Sequence, residues 1–409
     1  MTEASREVCV EKLIDEIAMG PFGSNIKADC FVDSGVPVFN GSNLVGFETN
    51  DNTLRFVTQE KAKSLGNALA SRGDVVVTHR GTLGQIAMIP YDSRYPHYVI
   101  SQSQFRVRCN NKVLPKFLVY YFHTREGQWR LLSNKTQTGV PALGRPTSTF
   151  RKLSMPLPAI ETQAKIVQVL DAMQEKIEAN AKLNGYLEEL ARAMYVGVMQ
   201  EHANTAPLCD MAELNSETYS PKENWSAVCY IDTSALMLNN LAELQHFNPT
   251  EEKLPTRARR KVANGDILYS TVRPNQNHYG LLYNPMPHTL ASTAFAVIRP
   301  SDITMSPLVY LALTDVGITE ALQQLAETST STIPSIRPVD LEQIAVLVPS
   351  DEYGNEIAAQ IEAAFKQIDC NKRENRELAI LRDTLLPKLM SGEIDVSEID
   401  PTQLNSHLA

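Results

Sequence analysis

The sequence predicts a mixed α/β (α+β) fold written twice: two similar globular domains separated by two long antiparallel coiled-coil helices, related by a pseudo-twofold internal duplication. Three observations carry that prediction. Four patterns recur in one order at offsets of 190 to 193 residues. Gly73-Asp74-Val75-Val76-Val77 returns as Gly265-Asp266-Ile267-Leu268-Tyr269, and Leu118-Val119-Tyr120 as Leu308-Val309-Tyr310. Thr138-Gly139-Val140-Pro141 returns as Ser331-Thr332-Ile333-Pro334, and Leu157-Pro158 as Val348-Pro349. Second, each half ends in a long stretch of helical periodicity. Third, 409 residues with 43% hydrophobic and 21% charged content are those of two or three globular domains, each large enough for its own core.

The elements follow in chain order. Short β-branched runs (Asp74 to Thr78, Gln104 to Arg108, Asp266 to Ser270, Ala294 to Arg299) lie between Gly, Pro and Asn turns and read as strands. Leu-rich stretches from Lys116 to Ser133 and from Pro307 to Ala326 read as helical. The boundaries fall at 1–158 for the first domain, 159–205 for a central spacer helix, 206–349 for the second domain, and 350–409 for a distal spacer helix and tail.

In the central helix Ile166, Leu170, Met173, Ile177, Asn180, Asn184 and Leu187 step by four and three; in the distal helix Ile357, Ile361, Ala364, Ile368, Asn371, Asn375 and Leu378 do the same. That stepping is a coiled-coil seam. A buried amide in such a seam fixes register and orientation, and two successive ones sit centrally in both helices. Antiparallel packing sets Asn180 near Asn375 and Asn184 near Asn371. Gly185 costs its helix about 1 kcal/mol relative to Ala. Two ~60 Å helices with a domain on each make a ruler with two heads, suited to duplex DNA whose groove positions recur every ~34–36 Å.

The net charge of −9 hides a gradient, because residues 1–152 carry 19 basic against 13 acidic side chains while the later segments are all acidic in balance. Polar, basic loops beside the strands are the candidate contacts: His79, Arg80 and Thr82; Gln102 and Gln104; Thr138; and Arg145 in the first half. The second half offers Ser270, Thr271, Arg273, Asn275, Gln276 and Asn277; Thr293; and Thr330 and Thr332, with Arg257, Arg259 and Arg260 in a basic cluster between Lys253 and Lys261. Arg forks onto guanine, Gln and Asn onto adenine, and Ser and Thr fit base or phosphate.

Catalytic signatures are missing. There is no G-x-x-x-x-G-K-[ST] loop, no strand-led G-x-G-x-x-G, no H-E-x-x-H and no G-x-S-x-G. Tyr283-Asn284-Pro285-Met286-Pro287 reads as a turn. Cys9, Cys30, Cys109, Cys209, Cys229 and Cys370 are scattered with no C-x-x-C pair, which argues against a zinc site of that spacing and fits a reducing cytoplasm. No apolar run reaches the ~20 residues of a membrane span, and Met1 to Val10 lacks the apolar core of a secretory signal.

Several stretches resemble the DNA sequence-specificity (S) subunit of Type I restriction–modification systems. They are Gly20-Pro21-Phe22-Gly23-Ser24, Gly35-Val36-Pro37-Val38, Gly41-Ser42-Asn43-Leu44, Gly73-Asp74 through Arg80-Gly81-Thr82-Leu83-Gly84 to Pro90, and Leu157-Pro158-Ala159-Ile160-Glu161-Thr162-Gln163. Gly265-Asp266-Ile267-Leu268 through Arg273-Pro274 and Ser292-Thr293-Ala294-Phe295 look like the same family. Ala294 stands where Gly is usual, and Asp351-Glu352-Tyr353 replaces a Pro-rich, Gln-containing helix opening. The resemblance implies two target-recognition domains, each reading half of a bipartite, asymmetric double-stranded DNA site. The helices would set the half-site separation and dock two methyltransferase (modification) subunits, with restriction/translocase subunits in the full complex and no membrane. It implies a chain without catalysis or cofactor of its own, with S-adenosylmethionine and ATP used by partner subunits. The alternatives are a cryptic DNA-modifying or nuclease enzyme and a protein-only scaffold.

Overall fold

The computed structural model describes residues 6–21, 25–136, 139–242, 244–329 and 333–396. They group into two compact units: Met1–Glu178 with Asn375–Ala409, and Ala179–Glu374. Both long helices, Ile160–Ala193 and Glu352–Ser391, are thereby divided between the units.

The first unit is built on a four-stranded antiparallel sheet in the order Ile14–Met19, Gln104–Cys109, Val75–Thr78, Ile86–Met88. The second unit repeats it with Ala212–Leu214, Phe295–Pro300, Ile267–Ser270 and Tyr279–Leu281. A two-stranded ribbon accompanies each: Arg6–Cys9 with Ser154–Leu157, and Ala203–Pro207 with Ala345–Pro349. Each unit also has a further sheet around one parallel pair, Val36–Val38 beside His97–Val99 and Val228–Ile231 beside Thr289–Ser292. The same strand order in both units is the duplication expected from the four recurring patterns.

Each expected helical stretch is two helices. Pro115–His123 and Arg125–Leu132 divide at Thr124, whose Oγ1 accepts from Gly127 N–H at 2.9 Å. A Cβ on Gly127 would stand 2.1 Å from the Tyr121 carbonyl oxygen, so only glycine permits this corner. Ser306–Leu313 and Val316–Glu327 divide at Asp315, which accepts from Gly317 N–H at 2.9 Å. The cap breaks a run that hydrophobicity alone would continue.

The long helices run antiparallel within each unit. In the first, Arg382 donates to Gln174 Oε1 (2.7 Å) and Asn375 to the Ile177 carbonyl (3.1 Å). In the second, Asn180 donates to Glu374 Oε2 (2.6 Å) and Asn371 to Asn184 Oδ1 (2.8 Å). Asn184 and Asn371 therefore meet as the seam predicts, and each seam amide has a partner from the other helix. Around them Ile166, Leu170 and Met173 with Leu378 and Leu389 join the core of the first unit, and Ile357, Ile361 and Ile368 that of the second. Ile177 and Leu187 pack at the edges of these cores.

Gln163 explains the opening of the central helix. Fully buried, it accepts from Leu114 N–H (2.9 Å) and donates to the Lys112 and Pro158 carbonyls (3.0 Å each). The distal helix opens on Asp351, which accepts from Gly354 N–H (2.7 Å) and the His202 ring (2.8 Å). Those contacts hold its carboxyl below the usual range, the Gly354 bond foremost. Gly185 is exposed in mid-helix, and a Cβ added there would meet no atom within 4 Å. Gly185→Ala is expected to raise stability by about 1 kcal/mol, read as an upward shift of the urea midpoint.

Candidate nucleic-acid interface

Three loops converge at one end of the four-stranded sheet of the first unit. His79 N–H donates to the Ser103 carbonyl (2.8 Å), Leu143 N–H to the His79 carbonyl (2.8 Å) and Gly81 N–H to the Pro141 carbonyl (2.9 Å). The loop after Val75–Thr78, the turn at 101–104 and the loop running to Arg145 are thus one surface. The second unit repeats the convergence. Thr271 N–H donates to the Ala294 carbonyl (2.8 Å), Ile336 N–H to the Thr271 carbonyl (2.9 Å) and Arg273 N–H to the Pro334 carbonyl (3.1 Å). Thr293 N–H donates to the Arg257 carbonyl (2.9 Å), which brings the basic strand to the same loops.

Burial sorts the candidates. Arg80, Thr82, Gln102 and Arg145 are exposed in the first unit, and Arg257, Arg273, Asn275, Gln276 and Thr293 in the second, with Asn277 and Arg259 half-buried. Three candidates face inward. Gln104 is fully buried, accepting from Ser101 N–H (2.9 Å) and donating to the Asn40 carbonyl (3.2 Å), because it occupies an inward position of its strand. Ser270 Oγ donates to the Val272 carbonyl (2.9 Å), and Thr271 Oγ1 to the Ala294 carbonyl (2.9 Å). These three shape the loops and offer nothing to a ligand. Thr138, Thr330 and Thr332 lie outside the described residues, as do Phe22, Gly23 and Ser24.

His79 is half-buried, with its Nε2 3.2 Å from the Gln102 carbonyl. Desolvation pulls its pKa below the ordinary value, so the ring is neutral at pH 7 and acts as a hydrogen-bonding group, not a cation. The basic cluster is not one patch. Lys261 pairs with Glu223 (2.7 Å) and lies over the Trp225 ring (5.4 Å), while burial lowers the pKa of Arg260, whose Nε has no partner.

The arginines divide into two sets. Arg108 forks onto Asp74 (2.9 and 3.0 Å) and Arg299 onto Asp266 (2.8 Å twice). The aspartates are those of the repeated Gly-Asp, almost wholly buried, and each also accepts a backbone N–H, from Ser71 and from Ala263. The hydrogen bonds to Asp266 are the main reason the Arg299 pKa is raised. By contrast Arg80, Arg145, Arg257, Arg259 and Arg273 have no carboxylate partner among the described residues. Cations left unpaired at the converging loops are what an anionic polymer requires. Sequence reasoning missed the Gly-Asp ion pairs; the repeat of Asp74 as Asp266 was their one signal. Among the described residues no His, Cys, Asp and Glu cluster could hold a metal ion, and no helix is long and apolar enough to cross a membrane.

The family model described as the Type I restriction modification DNA specificity domain matches residues 23–189. Over those residues the chain is similar to that domain. The HindI specificity subunit of Haemophilus influenzae is 27% identical over 159 residues, 39% of this chain and 34% of that protein. The match therefore spans about a third of that relative's length. The MjaIX specificity subunit of Methanocaldococcus jannaschii is 20% identical over 369 residues, 84% of this chain and 83% of that one. The crystal structure of a Type I restriction–modification S subunit from M. genitalium shares the fold, with a TM-score of 0.58 at 15% identity over 95% of this chain and 96% of that one. The matched residues contain the converging loops of the first unit and most of the central helix; those of the second unit repeat them beyond the match.

Proposed function

We propose that this chain is the DNA sequence-specificity subunit of a Type I restriction–modification complex, reading a bipartite, asymmetric double-stranded site with one half-site per recognition domain. The observation that carries the reading is the twofold occurrence of one loop surface whose exposed arginines lack carboxylate partners while the neighbouring residues differ. Residues 1–158 and 206–349 are the recognition domains, and 159–205 and 350–409 the spacers. Leu183, Tyr186 and Leu190 form an exposed apolar stripe at helical spacing on the central helix, 44%, 65% and 55% exposed, and suit the docking of methyltransferase subunits. The chain supplies recognition and no chemistry; S-adenosylmethionine belongs to the methyltransferase partner and ATP to the restriction/translocase subunits, all working in the cytoplasm.

Footprinting of the chain assembled with its methyltransferase subunits is expected to show two protected patches separated by an unprotected gap. The affinity should fall with salt at a log–log slope of about −0.9 per phosphate neutralised. One continuous patch, or binding indifferent to salt, rejects the reading.

A further inference from the structure

Only two arginines among the described residues have a left-handed backbone, Arg145 (φ 47°) and Arg273 (φ 49°), and each precedes a proline. That combination is unfavourable twice over, since a β-carbon disfavours the left-handed region and a following proline favours extended backbone. Neighbouring bonds hold it. Beside Arg145, the Gly144 carbonyl accepts from Asn134 Nδ2 and Thr149 Oγ1 (2.9 Å each), and the Arg145 carbonyl accepts from Thr149 N–H (2.9 Å). Arg273 donates its N–H to the Pro334 carbonyl (3.1 Å), and its own carbonyl accepts from Gln276 N–H (2.9 Å). Strain kept in place this way marks positions where direction matters.

The duplication provides an internal control for each. The place of Arg273 is held in the first unit by Gly81, which bonds the equivalent Pro141 carbonyl with φ 91°. Arg145-Pro146 is matched in the second unit by Arg337-Pro338, where Arg337 is extended (φ −94°) and tied to Asp340 at 2.7 Å. Each unit therefore carries one left-handed, exposed arginine without a carboxylate partner, at a place where its copy has none. A phosphate needs only charge, and Arg80 and Lys135 in one unit and Arg257 and Arg259 in the other supply it. A bidentate contact to guanine O6 and N7 needs an aimed fork, which a fixed backbone provides.

We propose that Arg145 and Arg273 are the base-reading arginines of the two half-sites, one in each, and that the flanking cations hold phosphates. This rests on the DNA-reading role above. The test is selection from a duplex pool randomised over both half-sites, using the full chain assembled with its methyltransferase subunits. Glycine suits both backbones, so Arg145→Gly and Arg273→Gly should melt no lower than wild type. Each is expected to lose guanine preference at one position of one half-site, on the order of 10- to 100-fold, with the other half-site unchanged. Arg→Lys at either place should keep more total binding than Gly while still relaxing that position. Uniform weakening across all sequences, no change, or both variants altering one half-site overturns the proposal. A wild-type complex that selects no two-part motif overturns the DNA reading itself, and is distinguished because it fails before any substitution.

Discussion

Arg299→Met is expected to lower unfolding stability by about 3–5 kcal/mol, measured by urea denaturation and localised to the second unit by hydrogen exchange. The reason is the burial of its partner. Asp266 is fully enclosed, and both its oxygens accept from the Arg299 fork, so removing the cation leaves a carboxylate with one backbone N–H for company. Arg108→Met in the first unit should cost less, about 1–3 kcal/mol. There Arg106 stands 3.7 Å from Asp74 and takes up part of the charge, while bonding Glu16 at 2.5 Å. The equivalent of Arg106 in the second unit is Val297, which offers nothing. Equal losses in the two units would contradict the assignment of Arg106 as a reserve cation.

Four residues inserted in each long helix, between the Asn180–Glu374 and Asn184–Asn371 levels, are expected to change the gap between half-sites and leave their bases unchanged. Both insertions fall within the second unit, just past its limits at Ala179 and Glu374, and each lengthens its helix by ~6 Å. That is close to two base-pair steps at ~3.4 Å each. Inserting at matched levels keeps each amide level intact on its own side, while the seam between them takes up a local four-residue stutter. Affinity for the original site should fall toward the non-specific level, on the order of 10³-fold, and recover on duplexes of altered spacing. Selection on the randomised pool reads the outcome, and a change of preferred bases would contradict the spacer role.

Much of this architecture is legible in the sequence because local rules and global fold agree. The recurring Gly-Asp, Leu-Val-Tyr and Leu-Pro patterns mark equivalent strands and helices, and the amides at Asn184 and Asn371 meet where the seam places them. The helical breaks at Thr124 and Asp315 were not legible, because a hydrophobic run masks a capping residue within it. Gln104 and Thr271 look like ligands in sequence, being polar and beside a turn; only the folded sheet decides that they are buried, Gln104 within its strand and Thr271 just past the end of Ile267–Ser270, bonded to the Ala294 carbonyl. The pairing of Arg108 with Asp74 escapes because the partners lie 34 residues apart and meet only once the sheet forms. Nor does a sequence reveal that Arg273 adopts a conformation ordinarily left to glycine.

The division of the long helices has a genetic consequence. Residues 179–374 are one uninterrupted stretch, and Ile177 touches Asn375 through a hydrogen bond at 3.1 Å. A short turn joining Glu178 to Asn375 would close the first unit on itself as a helical hairpin, so a single in-frame exchange could remove or replace the other unit whole. One recombination event within the coding sequence would then exchange residues 179–374 as a block and leave the first unit's own sequence unchanged.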